Sequence, residues 1–482
     1  MVKERSIRLL IAVSVLLFVA VTLAYNLIYF RQYCYSAYDL GIYMEAVQKF
    51  GWGNWNPFLS TLGVGFLNDH WHPALILAKI PTLIFSTSTS LFLTEIFFVV
   101  ATALVPLYLV KEKLLRLDLA AIICMYLVLN QRTFEATMAF PVHPAVWANF
   151  FLLAATALII REGKEGIVLV LLFAASFFGE QFAFCFMGYS LVLLFVSERS
   201  PRRFWVFISS VFWVWFCIAG RSFLTGPILH QTDRVALNLG SFISKYSWDR
   251  AQLKNIFKFF LEFLPLLFIA VKGRRYLHLE KSSGLLIAGI FFPLILGRIL
   301  SGSFGHQYDT LLVTAIGAFS LWVFSKTEKF SLSRGFLTGA LLFFCLVSFS
   351  KFEQAYGVIT EKKLQNCIHT RDVTAASEAR SKGLKEAFDY AAKRNPQEIS
   401  ALGNLVPNLV ERFPVADVIC LGMPSKEGGI PDWVIIERGV CGDPWPFDQS
   451  SLESKRQNLL GQFPQLKSRS ESPCLFSAYS ER

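Results

Sequence analysis

Apolar runs near the length that crosses a bilayer recur through the first 350 residues, and Lys and Arg gather in the short gaps between them. Inside a hydrocarbon core every backbone polar group must be satisfied locally, which leaves the helix as the spanning element of such a chain. Hydrophobic residues make up 54% of the sequence and charged residues 17%, so an ordinary soluble fold is excluded. After residue 350 the composition becomes globular. The sequence therefore predicts a mainly α, polytopic transmembrane helical bundle over 1–350 and a small soluble α/β domain over 351–482.

The formal charge of +11 lies in the gaps between apolar runs, with no basic patch interleaved with stacking aromatics. It reads as a membrane-orientation signal, and nucleic acid is excluded as a partner. The basic start leads into an apolar run, Leu9–Phe30, too long for the core of a cleaved signal peptide, so it is an uncleaved first span. Inside loops are marked by Lys111, Lys113 and Arg116, by Arg161 to Lys164, and by Arg199, Arg202 and Arg203. Lys272 to Arg275 and then Lys326, Lys329 and Arg334 continue the series. About eleven spans follow, near 8–30, 89–110, 118–131, 143–160, 165–178, 182–197, 203–220, 256–272, 283–299, 309–325 and 334–350. Residues 74–85 are too short to span and read as a re-entrant or interfacial helix. The expected result is a multi-pass protein of the cell (inner) membrane, with a cytoplasmic amino terminus and an extracytoplasmic carboxy-terminal domain.

One run tests the count. Residues 166–196 form about thirty apolar positions, or roughly 45 Å of straight helix, against a core of about 30 Å. Both flanks are basic. The run is therefore read as two short helices with Glu180 at the outer turn, recessed and lining a water-filled cavity.

With that topology, polar residues collect on one face. Asp39, Asp69, His70 and His72 fall in the first outer loop, 31–73, and Glu135 and His143 in the second. Arg221, His230, Asp233 and Arg234 follow in the fourth, and Arg298, His306, Tyr308 and Asp309 in the fifth. His278 is assigned to an inside loop. Histidine and carboxylate converging on one face are suited to acid/base chemistry or a metal site. A zinc helix motif is absent, so a divalent cation (Mg or Mn) held by Asp39, Asp69 and Glu180 with phosphate is the metal expectation; no cofactor is fixed. The pattern over Leu40–Phe50 predicts a short amphipathic helix along the outer surface. The aromatics Trp52, Trp55, Phe58 and Phe66 form either an interfacial belt or a sugar or lipid-tail platform.

Several motifs carry a resemblance. Tyr-Asp-Leu-Gly-Ile-Tyr at 38–43, Asp69-His70-x-x-Pro73, Phe140-x-x-His143-Pro144 and Gly179-Glu180-Gln181-Phe182 resemble a prokaryotic family of predicted membrane proteins of unknown function. His306-Gln-Tyr308 and residues 399–408 extend the likeness over nearly the whole chain. That family is related to the GT-C superfamily of membrane glycosyltransferases. The resemblance implies a GT-C-like bundle, an outer-face active site, a polyprenyl-linked sugar donor and membrane lipids as partners. It also implies an essential carboxylate in the first outer loop. Asp39 is then the candidate general base and Glu180 a second catalytic acid. Asp69, His70, His72, His143, Arg298, His306 and Tyr308 are candidate substrate-binding residues. Arg221 and Arg234 are further cations for the leaving phosphate. The sequence departs from the family at Gln181 and at Pro141-Val142, where members often carry acids; Asp39, Asp69 and Glu180 remain.

The tail alternates helical and strand patterns: a helix over 375–394, a strand over 398–402, a helix over 404–411, and strands over 417–421 and 433–437. It holds no phosphate-binding loop or nucleophile motif, so substrate binding or capping is expected of it. Cys367, Cys420, Cys441 and Cys474 allow three disulfide pairings if the tail is extracytoplasmic. Two other functions stay open: a transporter or lipid flippase with an outward polar cavity, and a non-catalytic envelope scaffold. Oligomeric state is not readable.

Overall fold

The computed structural model describes residues 4–32, 35, 40–51, 53–61, 63–69, 71–138, 142–196, 200–226, 228, 261, 264–273, 281–301, 309–325, 332–359, 373–401, 405–420, 431–437, 466–471 and 475–480. The chain divides into two compact units. Unit one comprises Met1–Thr22, Leu67–Leu75 and Thr94–Lys351; unit two comprises Leu23–Phe66, Ile76–Leu93 and Phe352–Arg482.

Among the described residues, four helical stretches are long and apolar enough to cross a membrane: Glu4–Arg31, Thr87–Lys111, Leu117–Met138 and Pro201–Thr225. A helix pair, Gly335–Val347 and Phe349–Val358, bent by 56°, makes up to five. Shorter apolar helices, including Pro144–Ile160, Glu180–Val196 and Asp309–Ser325, have 10–17 residues. At 1.5 Å per residue even the longest of these reaches about 26 Å, short of a typical core. Helices thus form where the apolar runs predict them, but several are too short to span alone.

In unit one the core sits around Leu117–Leu129, where every residue from Asp118 to Leu129 is buried. Asp118 opens that helix with its carboxylate accepting from Arg116 at 3.2 Å and from the Leu332 amide at 2.8 Å. Asn130 ends it, and a second helix, Gln131–Met138, carries Arg132 into a buried ion pair with Asp309. Breaking one side of such a pair costs roughly 3–5 kcal/mol, because the other charge stays buried. The helices Ala183–Val196 and Lys281–Ser301 approach through glycine. A Cβ on Gly188 would collide with the Gly289 carbonyl oxygen, and one on Gly289 would lie 2.8 Å from that of Gly188. Small residues here let two backbones touch, as in membrane helix packing. Large apolar side chains such as Leu16, Phe97, Phe195 and Leu346 stay exposed, as lipid-facing side chains do.

Unit two contains a helix, Ile42–Lys49, and a short antiparallel hairpin, β1 (Phe58–Leu59) with β2 (Val64–Gly65). The helix confirms the short helix read over 40–50, but Ile42 to Val47 are all buried, so it does not lie along a surface. Its polar residues find partners instead of water. Glu45 accepts from the Ser60 amide at 2.7 Å and from Ser60 Oγ at 2.5 Å. It also accepts from Thr61 N at 3.1 Å, Thr61 Oγ1 at 2.7 Å and Lys49 Nζ at 2.6 Å. Lys49 reaches on to Asp417 at 3.1 Å, and Gln48 donates to the Val410 carbonyl at 3.1 Å.

The strands β3 (Glu398–Ala401), β4 (Asp417–Cys420), β5 (Trp433–Glu437), β6 (Leu466–Glu471) and β7 (Leu475–Ser480) form one sheet in the order β4-β3-β5-β7-β6. β3 pairs parallel with β4 and β5, with the helix Val406–Arg412 as the β3–β4 crossover. β7 pairs antiparallel with β5 and β6. The helix Val373–Arg394 packs Phe388 against Trp433, ring centres 6.0 Å apart. Cys367, Cys441 and Cys474 lie outside the described residues, and Cys420 is described by its backbone alone.

Candidate functional site

Two His-Pro steps build the centre of unit one. Proline disfavours the α region for the residue before it, and it is well suited to the first helical position. His143 accordingly sits extended, φ −139° and ψ 108°, just before the helix Pro144–Ile160. His72 precedes Pro73, which opens the tight helical turns Pro73–Lys79. The two imidazoles meet with ring centres 5.7 Å apart at 77°. Both are buried, 2% and 4% exposed. His72 Nδ1 donates to the Phe178 carbonyl at 2.8 Å, which fixes the orientation of the ring.

The expected break at Glu180 is present. The helix Glu165–Ala175 ends in a tight turn through Phe178, and Ala183–Val196 begins after a second one, Glu180–Phe182. Gly179 between them has φ +154°, and a Cβ there would lie 2.8–3.0 Å from the Gln181 side-chain amide. Only glycine fits that corner. The corner leaves the Glu180 carboxylate half-buried, where it accepts from the Trp71 amide at 3.3 Å.

Arg221 arrives from a third direction. It follows a π-helical turn, Phe216–Gly220, closed by the Arg221 amide on the Phe216 carbonyl at 2.8 Å. Such turns often occur at functional sites. The guanidinium is 1% exposed and donates to the Asp69 carbonyl at 3.4 Å. Trp71 lines the same region, its ring 5.6 Å from Phe216 and 6.1 Å from Trp213.

Of the residues predicted from sequence, Asp69, His72, His143 and Glu180 thus converge in unit one, joined by Arg221. Asp39, His70, His306 and Tyr308 lie outside the described residues, as does the side chain of Arg298, whose backbone is in the helix Lys281–Ser301. Glu135 stands apart, 4.0 Å from Lys351. Among the described residues no three His, Cys, Asp or Glu side chains form a metal site. Asp69 and Glu180 are the described part of the acidic set Asp39, Asp69 and Glu180.

Sequence reading missed Glu95. It is fully buried, and its Oε2 accepts from the His143 amide at 3.4 Å and from Trp147 Nε1. Oε1 meets no hydrogen-bond donor among the described residues. An acid inside a 25-residue apolar helix was the available signal, since such residues are costly in a membrane without a role.

These apolar helices around a buried polar centre define a membrane protein. The chain belongs to the family described as Predicted membrane protein (DUF2079), whose model matches residues 31–463. Among solved structures, the apo oligosaccharyltransferase of Archaeoglobus fulgidus is similar over 89% of this chain and 69% of that chain, at 11% identity and a TM-score of 0.44. No curated protein sequence matches.

Proposed function

We propose that the protein is an integral membrane glycosyltransferase of the GT-C type, moving a sugar from a polyprenyl-phosphate-linked donor to an acceptor on the outer face. The observation that carries this reading is the convergence of His72, His143, Glu180, Asp69 and Arg221 from motifs far apart in sequence. The first-loop motif at 38–43, with its resemblance to a GT-C-related family, supplies the reaction type.

In this reading Asp39 removes the acceptor hydroxyl proton as the oxygen attacks the sugar's anomeric carbon. The bond from that carbon to the donor phosphate breaks, and the phosphate leaves as an anion. Arg298 and His306 stabilise the departing charge, and Arg221 adds a buried positive charge behind the site. Glu180, the half-buried carboxylate of the cluster, orients the acceptor by hydrogen bonding. His70, His72, His143, Asp69 and Tyr308 line the substrate path. Basic residues in the gaps between spans support a cytoplasmic amino terminus and an extracytoplasmic tail.

The test is a deletion strain complemented with wild type or Asp39→Asn, with envelope glycans read by mass spectrometry. Wild type restores a glycan that the deletion lacks, and Asp39→Asn, expressed at the same level, does not. Restoration by Asp39→Asn removes that residue from the mechanism. A deletion strain with unchanged glycans and glycolipids overturns the transfer reading itself.

A further inference from the structure

The tail motif at 399–408 takes no part in the transfer chemistry, yet its last residue touches the end of a membrane span. Pro407 opens the helix Val406–Arg412, and Val406, Leu409 and Val410 bury its inner face. Asn408 and Glu411, three positions apart, share the other face.

Asn408 Nδ2 donates to the Phe30 carbonyl at 3.0 Å. Phe30 lies in the last turn of the first span, Glu4–Arg31, and the final four carbonyls of a helix have no partner within it. Glu411 accepts from the Ser88 amide at 3.1 Å and from the Ser88 hydroxyl at 3.5 Å. Ser88 is the second residue of the next span, Thr87–Lys111, and the first four amides of a helix lack acceptors in the same way. The polarity suits both ends. A donor meets the carbonyl end of one helix dipole, and a carboxylate meets the amide end of the next. One face of a single short helix in the tail thus caps both spans.

The same helix holds the first loop. Gln48 Nε2 donates to the Val410 carbonyl at 3.1 Å and to the Thr87 hydroxyl at 3.3 Å, and Lys49 pairs with Asp417 at 3.1 Å. Both residues belong to the helix Ile42–Lys49, whose first two residues, Ile42 and Tyr43, end the 38–43 motif. Phe30 and Ser88 close and open successive spans, so they lie on one face of the membrane, and a tail that touches both lies there too. We propose that Asn408 and Glu411 are positioning residues of the first loop. They clamp its two membrane ends to the tail, on one side of the bilayer, and so fix the helix that leads out of the 38–43 motif. The part this plays in transfer rests on the function proposed above; the clamp itself does not.

The test uses the full chain. In intact cells a membrane-impermeant maleimide should treat Asn54→Cys in the first loop and Val415→Cys in the tail alike, and Lys111→Cys, at the far end of the second span, oppositely. Peptide mass spectrometry identifies the labelled site. Labelling of Asn54→Cys and Val415→Cys from opposite sides overturns the proposal. In detergent, Asn408→Ala and Glu411→Ala should each speed amide hydrogen exchange over residues 42–49 about ten-fold, with β3, β4 and β5 still protected. Glu411→Gln keeps an acceptor for Ser88 and should restore the slow rate, and Arg412→Gln, which alters a surface pair with Asp389, should leave it unchanged. Exchange over 42–49 that neither alanine variant alters overturns the clamp, as does a loss of protection that includes the strands. In the complemented deletion strain the alanine variants should restore the missing glycan about ten-fold less well than Glu411→Gln, and equal restoration removes the positioning role. Labelling and exchange read no sugar, so they decide the clamp even where the transfer reading fails.

Discussion

Glu45 in unit two and Glu95 in unit one are both buried acids, 2% and 0% exposed, yet they are held in opposite ways. Around Glu45 both oxygens are filled, by two amides, two hydroxyls and the Lys49 ammonium. Around Glu95 one oxygen takes two donors while the other has none among the described residues. A saturated carboxylate is a structural knot, since every lone pair is spent on holding the fold. The unsaturated one hangs from the His143 amide and the Trp147 indole, and His143 in turn sets its ring against that of His72. Buried polar groups left with spare capacity are the ones that chemistry can use.

The strongest way to break this comparison is at Glu180. Glu180→Gln keeps an acceptor for the Trp71 amide, so thermal unfolding in detergent should be unchanged, while the proposed transfer, read on envelope glycans, should fall by roughly 10²-fold through mispositioning. Full activity in that variant would return Glu180 to a purely structural role. Glu45→Ala should do the reverse. It strands the Ser60 and Thr61 donors and leaves Lys49 with Asp417 as its one remaining carboxylate among the described residues, at a cost of about 3–5 kcal/mol read by denaturation.

Lys49 sharpens the contrast through pH. Burial works against its charge, but the Glu45 and Asp417 carboxylates outweigh it and raise its pKa above the ordinary lysine range. A raised folded value means that the stabilisation is complete below the unfolded pKa of about 10.4 and is lost as pH climbs through the folded value. Lys49→Met should therefore cost about 1–2 kcal/mol at neutral pH, and the gap to wild type should close only above about pH 10.4. A gap that closes instead between about pH 6 and 8 would assign the effect to another group. The smallest effect is expected from Glu95→Gln, which retains the oxygen that Trp147 and His143 use. Its stability should stay within about 1 kcal/mol of wild type, and a loss as large as that of Glu45→Ala would erase the distinction between the two acids.

Much of this was legible in the chain. The helix Asp309–Ser325 coincides with its apolar run, and β5 at Trp433–Glu437 with its strand pattern. Glu180 at a helix break followed from length and charge together, because a thirty-residue run with basic residues on both flanks does not fit one span. The His-Pro steps at 72–73 and 143–144 announced how each imidazole is presented, since proline restricts its neighbour directly. The antiparallel strands β6 and β7 carry weaker local patterns and drew no assignment, because their pairing comes from sequence-distant β5.

By itself the sequence determined where helices start, stop and break, and that the chain is a membrane protein. These depend on apolar spacing, proline and glycine, which act within a few residues. Only the tertiary structure decided that the two imidazoles meet, that Arg221 reaches the Asp69 carbonyl and that Glu45 is tied off while Glu95 is not. A carboxylate's partners are chosen by packing between segments far apart in the chain, and no local spacing encodes that choice.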